Sequence, residues 1–170
     1  MPNTFTQIYI QIVFAVEGRQ SLIVPAFKED LFRYIGGQLR NAGQKLIAIN
    51  GMPDHVHILV GLKPTTAISD LVKDIKIASS RLINDKRWVR GRFSWQEGFG
   101  AFSYSQSHLG KVARYIENQE RHHARRSFKE EYLSLLKSFQ IEHDDRYVFK
   151  WIDLKTQRRE PCPTEPVQPS

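Results

Sequence analysis

The chain has 170 residues, of which 41% are hydrophobic and 25% charged, as expected for one globular domain that buries its own core. Its single cysteine, Cys162, excludes an internal disulfide and a cysteine-based zinc cage. No stretch predicts a signal peptide or a membrane span, so we expect a cytoplasmic protein with no membrane partner. The net charge of +7 favours a polyanionic partner, because Lys and Arg neutralise phosphates.

The first half of the chain reads as two strand–helix units. Alternating apolar residues over 6–16 predict the first strand, and helical spacing from Pro25 to about Gly43 predicts the first helix. Residues 45–50 and 55–62 predict two strands, joined by a turn over 51–54. A second helix starts near Pro64 and carries an apolar stripe to Leu82.

The second half begins with a loop over 91–99 and a short strand over about 100–105. Ser107 is the expected N-cap of a helix that runs to about Gln119 or His123, and another helix covers 128–139. This order predicts an α+β fold, a ferredoxin-like split β-α-β with a four-stranded antiparallel sheet plus C-terminal helices. Both early helices should cover one face, leaving the other for a ligand or for the later helix that carries Tyr115. We expect one domain over 1–150 and a disordered, proline-rich tail over 151–170.

The most informative motif is the pair His55 and His57, within the apolar run Val56-His57-Ile58-Leu59-Val60. Side chains alternate along a strand, so both imidazoles face the same way, about 7 Å apart, and can converge on one metal ion. Half-buried, hydrogen-bonded histidines are the competing interpretation. Asp54 either orients an imidazole or caps the turn.

A later helix supplies what the pair lacks. Tyr115 and Gln119 are four residues apart, so they share one helix face. Gln119 offers a carbonyl oxygen, and with His55 and His57 it makes a mixed site for Mg²⁺ or Mn²⁺, although zinc also accepts histidines. The Tyr115 phenol can act as a nucleophile, and its alternative role is a structural tyrosine between helix and sheet.

Several arginines are candidate contacts to a polyanionic partner, which the resemblance described below implies to be DNA. They lie before an aromatic-rich segment or around Tyr115: Arg81, Arg90, Arg92, Arg114, Arg121 and Arg125. Trp88, Phe93 and Trp95 could stack on bases, but core or dimer-interface packing is the favoured interpretation for Trp95, Phe99 and Phe102. His122 and His123 could contact phosphates or the metal, and a solvated helix end is the favoured interpretation for them.

The order and spacing of His55-Val56-His57, Tyr115 and Gln119 resemble the single-tyrosine transposases of small insertion sequences, in the HUH endonuclease superfamily. The resemblance extends through residues 7–14, 95–103 and 115–119, and covers about 4–147. Gln11 departs from it, since relatives often carry histidine there. REP-associated tyrosine transposases, which act on repeated genomic palindromes, belong to the same group.

The resemblance implies a bacterial or archaeal, nucleoid-associated enzyme that nicks and rejoins single-stranded hairpin DNA. Tyr115 would form a 5′-phosphotyrosine, with a divalent metal, Mg²⁺ or Mn²⁺, on His55, His57 and Gln119. It also implies a homodimer with active sites shared in trans, paired through the strand near Ala101. The alternatives are a non-catalytic or domesticated binder of single-stranded or hairpin DNA, a phosphodiesterase that activates water, and a decayed copy.

Overall fold

The computed structural model describes residues 3–148, so the predicted tail over 151–170 and the domain end at 150 lie outside the described residues. The chain folds as α+β. Its strands are β1 (Tyr9–Ala15), β2 (Lys45–Met52), β3 (His55–Gly61) and β4 (Gly100–Tyr104), and its helices are α1 (Pro25–Asn41), α2 (Ile68–Asp85), α3 (Gln106–Glu117), α4 (Gln119–His123), α5 (Phe128–Ser138) and α6 (Asp145–Val148).

The four strands form one antiparallel sheet in the order β2-β3-β1-β4, which confirms the predicted ferredoxin-like topology. β1 and β3 are the central strands. Their register pairs Ala15 with His55 and Val13 with His57. The histidine motif therefore lies in the middle of the sheet, where neighbouring strands hold its backbone on both sides.

The two faces of the sheet have different neighbours. On one face, alternate residues of β1 and β3, such as Ile12 and Ile58, pack against α1 and α2 in the main core. On the other face, Val13 and Ala15 pack against α5, and Leu59 packs against α3. This second face also carries the histidines, so α3 and α5 are the helices that can bring side chains to them.

The β2–β3 hairpin is tighter than predicted, because the strand continues through Met52 and leaves Pro53 and Asp54 as the turn. Gly51 is required there: a Cβ at this position would lie 2.2 Å from the His55 carbonyl oxygen. The glycine thus permits close approach of β2 to the first histidine.

The helix predicted to run to about Gln119 or His123 is broken before either residue. Asn118, at φ −97° and ψ 25°, ends α3 and precedes the short α4. Its side-chain amide donates to the Arg114 carbonyl oxygen (2.8 Å), which satisfies a terminal acceptor of α3. The helix also begins earlier than predicted, with Ser105 rather than Ser107 at the N-cap. Among residues 3–148, no helix has the length and apolarity needed to cross a bilayer.

Candidate active site

His55 and His57 lie side by side on the second face of the sheet. Both are fully buried, and their ring centroids are 5.1 Å apart. Backbone alternation along β3 sets this arrangement, as the motif predicted. Phe128 of α5 stacks on the His55 ring at 3.8 Å, which fixes the plane of that imidazole.

His55 is oriented by a charged partner. Its Nδ1 lies 2.7 Å from Asp54 Oδ1, and Arg19 Nη2 donates to Asp54 Oδ2 (2.8 Å). Of the two roles considered for Asp54, the structure therefore supports orientation of an imidazole. Burial lowers the pKa of His55 to about 4, and His57 adds to this shift while Asp54 opposes it. His55 is thus neutral near pH 7, and its Nε2 faces the interior of the site.

The third group at the histidines is a carboxylate that the sequence analysis did not include. Glu131 of α5 is 2% exposed, and its Oε1 lies 2.6 Å from His57 Nε2 and 3.9 Å from His55 Nε2. Burial by itself raises the pKa of Glu131, but the adjacent imidazoles of His123 and His57 outweigh it and hold the pKa below its usual range. Glu131 is therefore an anion inside the protein.

These three side chains fit a divalent cation. Their ligand atoms all lie within 4.8 Å of one another. All three ligand atoms are buried: His55 Nε2 has no hydrogen-bond partner among the described residues, and His57 Nε2 and Glu131 Oε1 face each other at 2.6 Å. A buried polar atom without a partner is costly. Two imidazole nitrogens and one carboxylate oxygen are a donor set that Mn²⁺, Mg²⁺ and Zn²⁺ accept.

Tyr115 reaches the same point from α3. Its ring centroid is 6.2 Å from that of His57, and its hydroxyl lies near the side chains of Glu131 and Gln119. Burial raises the pKa of Tyr115 well above its usual range, and the Glu131 carboxylate raises it further. The phenol is half-buried, so one side meets the site and the other remains accessible.

Gln119, the predicted third metal ligand, is fully buried beside Tyr115. Its Oε1 lies 3.1 Å from His123 Nε2, and the same nitrogen lies 3.1 Å from Glu131 Oε2. His123 therefore connects Gln119 to Glu131, the carboxylate that lies beside His55 and His57. Direct metal ligation by Gln119 stays a prediction.

The two consecutive histidines of α4 have different environments. The side chain of His123 is 8% exposed and belongs to the site, so the solvated helix end predicted for it is wrong. His122 is exposed and packs on the Tyr115 ring, with centroids 4.6 Å apart. It thus contacts the Tyr115 ring without closing off the groove beside it.

Basic residues surround the accessible side of Tyr115. A groove of about 980 Å³ is lined by Tyr115, Arg121, His122, Ala124, Arg125, Arg126 and Glu130. Two of the predicted DNA contacts, Arg121 and Arg125, therefore lie in the same groove as the phenol. Arg114 is exposed and lies outside this lining.

The other predicted arginines lie near and after the C-terminal end of α2. Arg81 and Arg92 line a separate groove of about 810 Å³ with Arg87, and Arg90 is exposed nearby in sequence. Trp95 and Phe102 are 7% and 1% exposed, which agrees with the core role favoured for them. They are too buried to stack on bases.

Glu131 had one sequence signal. Phe128, Tyr132 and Leu136 form the buried stripe of α5, and position 131 falls on that stripe. A carboxylate at a core-facing helix position is rarely left without a partner. His123 had no comparable signal, because its burial depends on α5 folding back across the sheet.

Comparison with known proteins identifies the family of the chain. Residues 4–119 match the family described as IS200-like transposases. The chain is 29% identical over 123 residues to the ISDra2 transposase TnpA of Deinococcus radiodurans, over 66% of this chain and 84% of the relative.

Two solved structures resemble the chain. One is the crystal structure of a protein from Deinococcus radiodurans R1 assigned as a transposase (TM-score 0.55, 26% identity, 69% of this chain and 94% of that one). The other is a REP-associated tyrosine transposase bound to a REP hairpin (TM-score 0.55, 15% identity, 71% and 72%), a likeness of fold alone. Because the family match covers more than half of its length, the chain belongs to the IS200-like transposase family of single-tyrosine HUH enzymes.

Proposed function

We propose that this chain cuts and rejoins single-stranded DNA through a covalent bond to Tyr115. One observation carries the proposal: the Tyr115 phenol lies between three buried potential metal-ligand atoms, of His55, His57 and Glu131, and a basic groove. A metal-binding pocket alone would suit many functions. A phenol placed at its edge, open towards arginines, suits attack on a phosphodiester.

The chemistry assigns the protein groups distinct tasks. Tyr115 Oη loses its proton and forms a bond to phosphorus, while the bond from phosphorus to the 3′ oxygen breaks and that oxygen takes up a proton, which leaves a 5′-phosphotyrosine and a free 3′-hydroxyl. The phosphodiester is conserved in the adduct, so a 3′-hydroxyl can reverse the step on another strand. Arg121 and Arg125 hold the phosphates that flank the cut.

His55, His57 and Glu131 would hold the divalent cation, with Gln119 as the ligand expected from the family resemblance. The bound ion would supply Lewis-acid stabilisation of charge on the scissile phosphate. Mg²⁺ and Mn²⁺ are the ions we propose, because the donors mix nitrogen and oxygen and include one carboxylate.

The proposed substrate is single-stranded DNA that carries a hairpin. The basic groove beside Tyr115 suits a single strand, and the related fold in the REP-associated transposase is bound to a REP hairpin. The arginine groove at the C-terminal end of α2 is our candidate surface for the stem, with Arg81, Arg92 and the neighbouring Arg90. A nucleoid-associated location follows from such a substrate.

Subunit arrangement is a separate question. The family resemblance predicts a homodimer with active sites shared in trans. In this chain, α3 packs on its own β2 and β3, and Tyr115 lies beside its own His57. We therefore propose that one chain can complete a site in cis. Mixing Tyr115→Phe with His57→Ala protein tests this, because recovered cleavage requires sharing in trans.

The main test is trapping of the adduct. A labelled hairpin oligonucleotide with a single-stranded flank is incubated with the chain and Mn²⁺ or Mg²⁺, then separated in denaturing detergent. We expect a protein–DNA adduct that Tyr115→Phe and chelator abolish. Tyr34→Phe, which removes a hydroxyl from α1 on the opposite face, is the control and should keep the adduct.

The outcomes separate the alternatives. Cleaved DNA without an adduct would support water as nucleophile. Binding without cleavage would support a domesticated or decayed binder. An adduct retained by Tyr115→Phe would refute the proposed role of Tyr115.

A further inference from the structure

Gln11 is a buried polar residue that the proposed reaction leaves unused. It lies on β1, is fully buried, and shares the sheet face of the histidines. Its amide lies directly behind His57: Gln11 Nε2 is 2.9 Å from His57 Nδ1. This is also the position at which the sequence departs from the family pattern.

A second residue completes a hydrogen-bonded chain. Tyr104 of β4 donates from its hydroxyl to Gln11 Oε1 (2.8 Å). The Gln11 amide then donates to His57 Nδ1, so the proton of the neutral ring is on Nε2, which faces Glu131 Oε1 at 2.6 Å. A ring in this tautomer cannot offer the Nε2 lone pair to a cation.

We propose that Gln11 is a positioning residue that sets the tautomer of His57 and reverses its hydrogen bonds when a divalent cation binds. In the reversed state, His57 Nδ1–H donates to the Gln11 carbonyl oxygen, and the Gln11 amide donates to Tyr104 Oη. The Nε2 proton is released to water and Nδ1 takes up one proton from water, so the protons balance and the imidazole stays neutral. Reversal leaves each group with a partner, because an amide and a hydroxyl both donate and accept.

The neighbouring histidine shows why this role is specific to Gln11. Asp54 beside His55 is a carboxylate and only accepts, so His55 Nδ1–H donates to it and Nε2 already carries the lone pair. His55 is thus fixed in the metal-binding tautomer, whereas His57 is held in the other one until the amide turns. The inference depends on the proposed metal centre at His55, His57 and Glu131.

Mn²⁺ affinity tests the proposal without any measurement of activity. Isothermal titration with Mn²⁺ should show 10- to 100-fold weaker binding for Gln11→Leu, the range usual for loss of a group that orients a ligand. Gln11→Glu, whose side chain accepts as Asp54 does, should restore binding. Tyr104→Phe, which leaves Gln11 in place, should weaken it less than Gln11→Leu does.

Gln44→Leu is the matched control. Gln44 is 5% exposed and donates to Ala42 and Thr66 away from the site. Its loss should lower thermal stability without weakening Mn²⁺ binding. Equal Mn²⁺ affinity of Gln11→Leu and the unmodified chain would overturn the inference, whereas absence of Mn²⁺ binding by the unmodified chain would overturn the proposed metal centre instead.

The tautomer can be observed directly in the unmodified chain. Long-range ¹H–¹⁵N correlation spectra of the ¹⁵N-labelled protein should place the His57 proton on Nε2 in chelator and on Nδ1 with Mg²⁺. His55 should carry its proton on Nδ1 in both. A His57 ring that keeps one tautomer under both conditions would overturn the proposal, even if every variant fails to fold.

Discussion

Glu131→Gln is the substitution that tests the proposed metal centre most directly. It keeps the shape of the side chain and removes its charge. Three atoms whose separations do not exceed 4.8 Å share a point no more than about 2.8 Å from each, close to the 2.0–2.6 Å of metal–ligand bonds. Small rotations of these side chains therefore suffice to close the site around an ion. Of His55, His57 and Glu131, only Glu131 carries a negative charge.

Glu131→Gln should lower the Mn²⁺ affinity by more than the loss of a group that only orients a metal ligand does. Loss of such an orienting group costs 10- to 100-fold in metal affinity, so loss of the anionic ligand should cost at least about 100-fold, or about 2.7 kcal/mol. Isothermal titration with Mn²⁺ measures this directly. Covalent attachment to DNA at limiting Mn²⁺ should fall in parallel and recover partly at high Mn²⁺.

Glu130→Gln is the matched control, because Glu130 is an exposed carboxylate on the same helix and forms the capping box with Ser127. It makes the same chemical change one residue away and should leave Mn²⁺ affinity unaltered. The reasoning fails if Glu131→Gln binds Mn²⁺ as tightly as Glu130→Gln does.

Three other predictions follow from separate parts of the molecule. Gly51→Ala should lower the free energy of unfolding in urea by about 2–3 kcal/mol, because the new Cβ would meet the His55 carbonyl oxygen. Gly37→Ala, which has open space around it in α1, should raise that free energy. Equal effects of the two substitutions would refute this. Burial lowers the pKa of Lys76 to about 8, so between pH 8 and 10.5 the folded chain holds fewer protons than the unfolded chain. The free energy of unfolding should therefore rise with pH in that window. The rise should be smaller in Lys76→Met, which lacks the amine. Arg125→Glu should reduce the salt dependence of single-strand binding by about 0.7 in log–log slope for each phosphate that the variant no longer neutralises, and an unchanged slope would place the strand elsewhere.

Local patterns in the sequence predicted most of the fold. The alternation of β1 and the apolar stripes of α1 and α2 depend on neighbours in sequence, and the sheet order follows from the order of elements. The break at Asn118 was not predicted, since a single asparagine is compatible with a helix interior. The extension of β2 to Met52 was not predicted either, because a glycine such as Gly51 is typical of turns. The structure explains this glycine by the close approach of the His55 backbone.

The candidate site was predicted only in part. Alternation places His55 and His57 together, and helical spacing places Tyr115 near Gln119. Glu131 comes from α5, whose position depends on Phe128 and Tyr132 packing across β1 and β4. Contacts of that kind join residues that are distant in sequence, so no local period could pair the carboxylate with the histidines.

Peptide mapping of the covalent adduct measures the central claim most directly. After reaction of the chain with hairpin DNA and Mn²⁺, nuclease and protease digestion followed by mass spectrometry should locate the nucleotide on Tyr115, with no modified peptide in chelator. A nucleotide on any other residue, or an adduct of equal yield without a divalent ion, would contradict a metal-dependent site built from His55, His57, Glu131 and Tyr115.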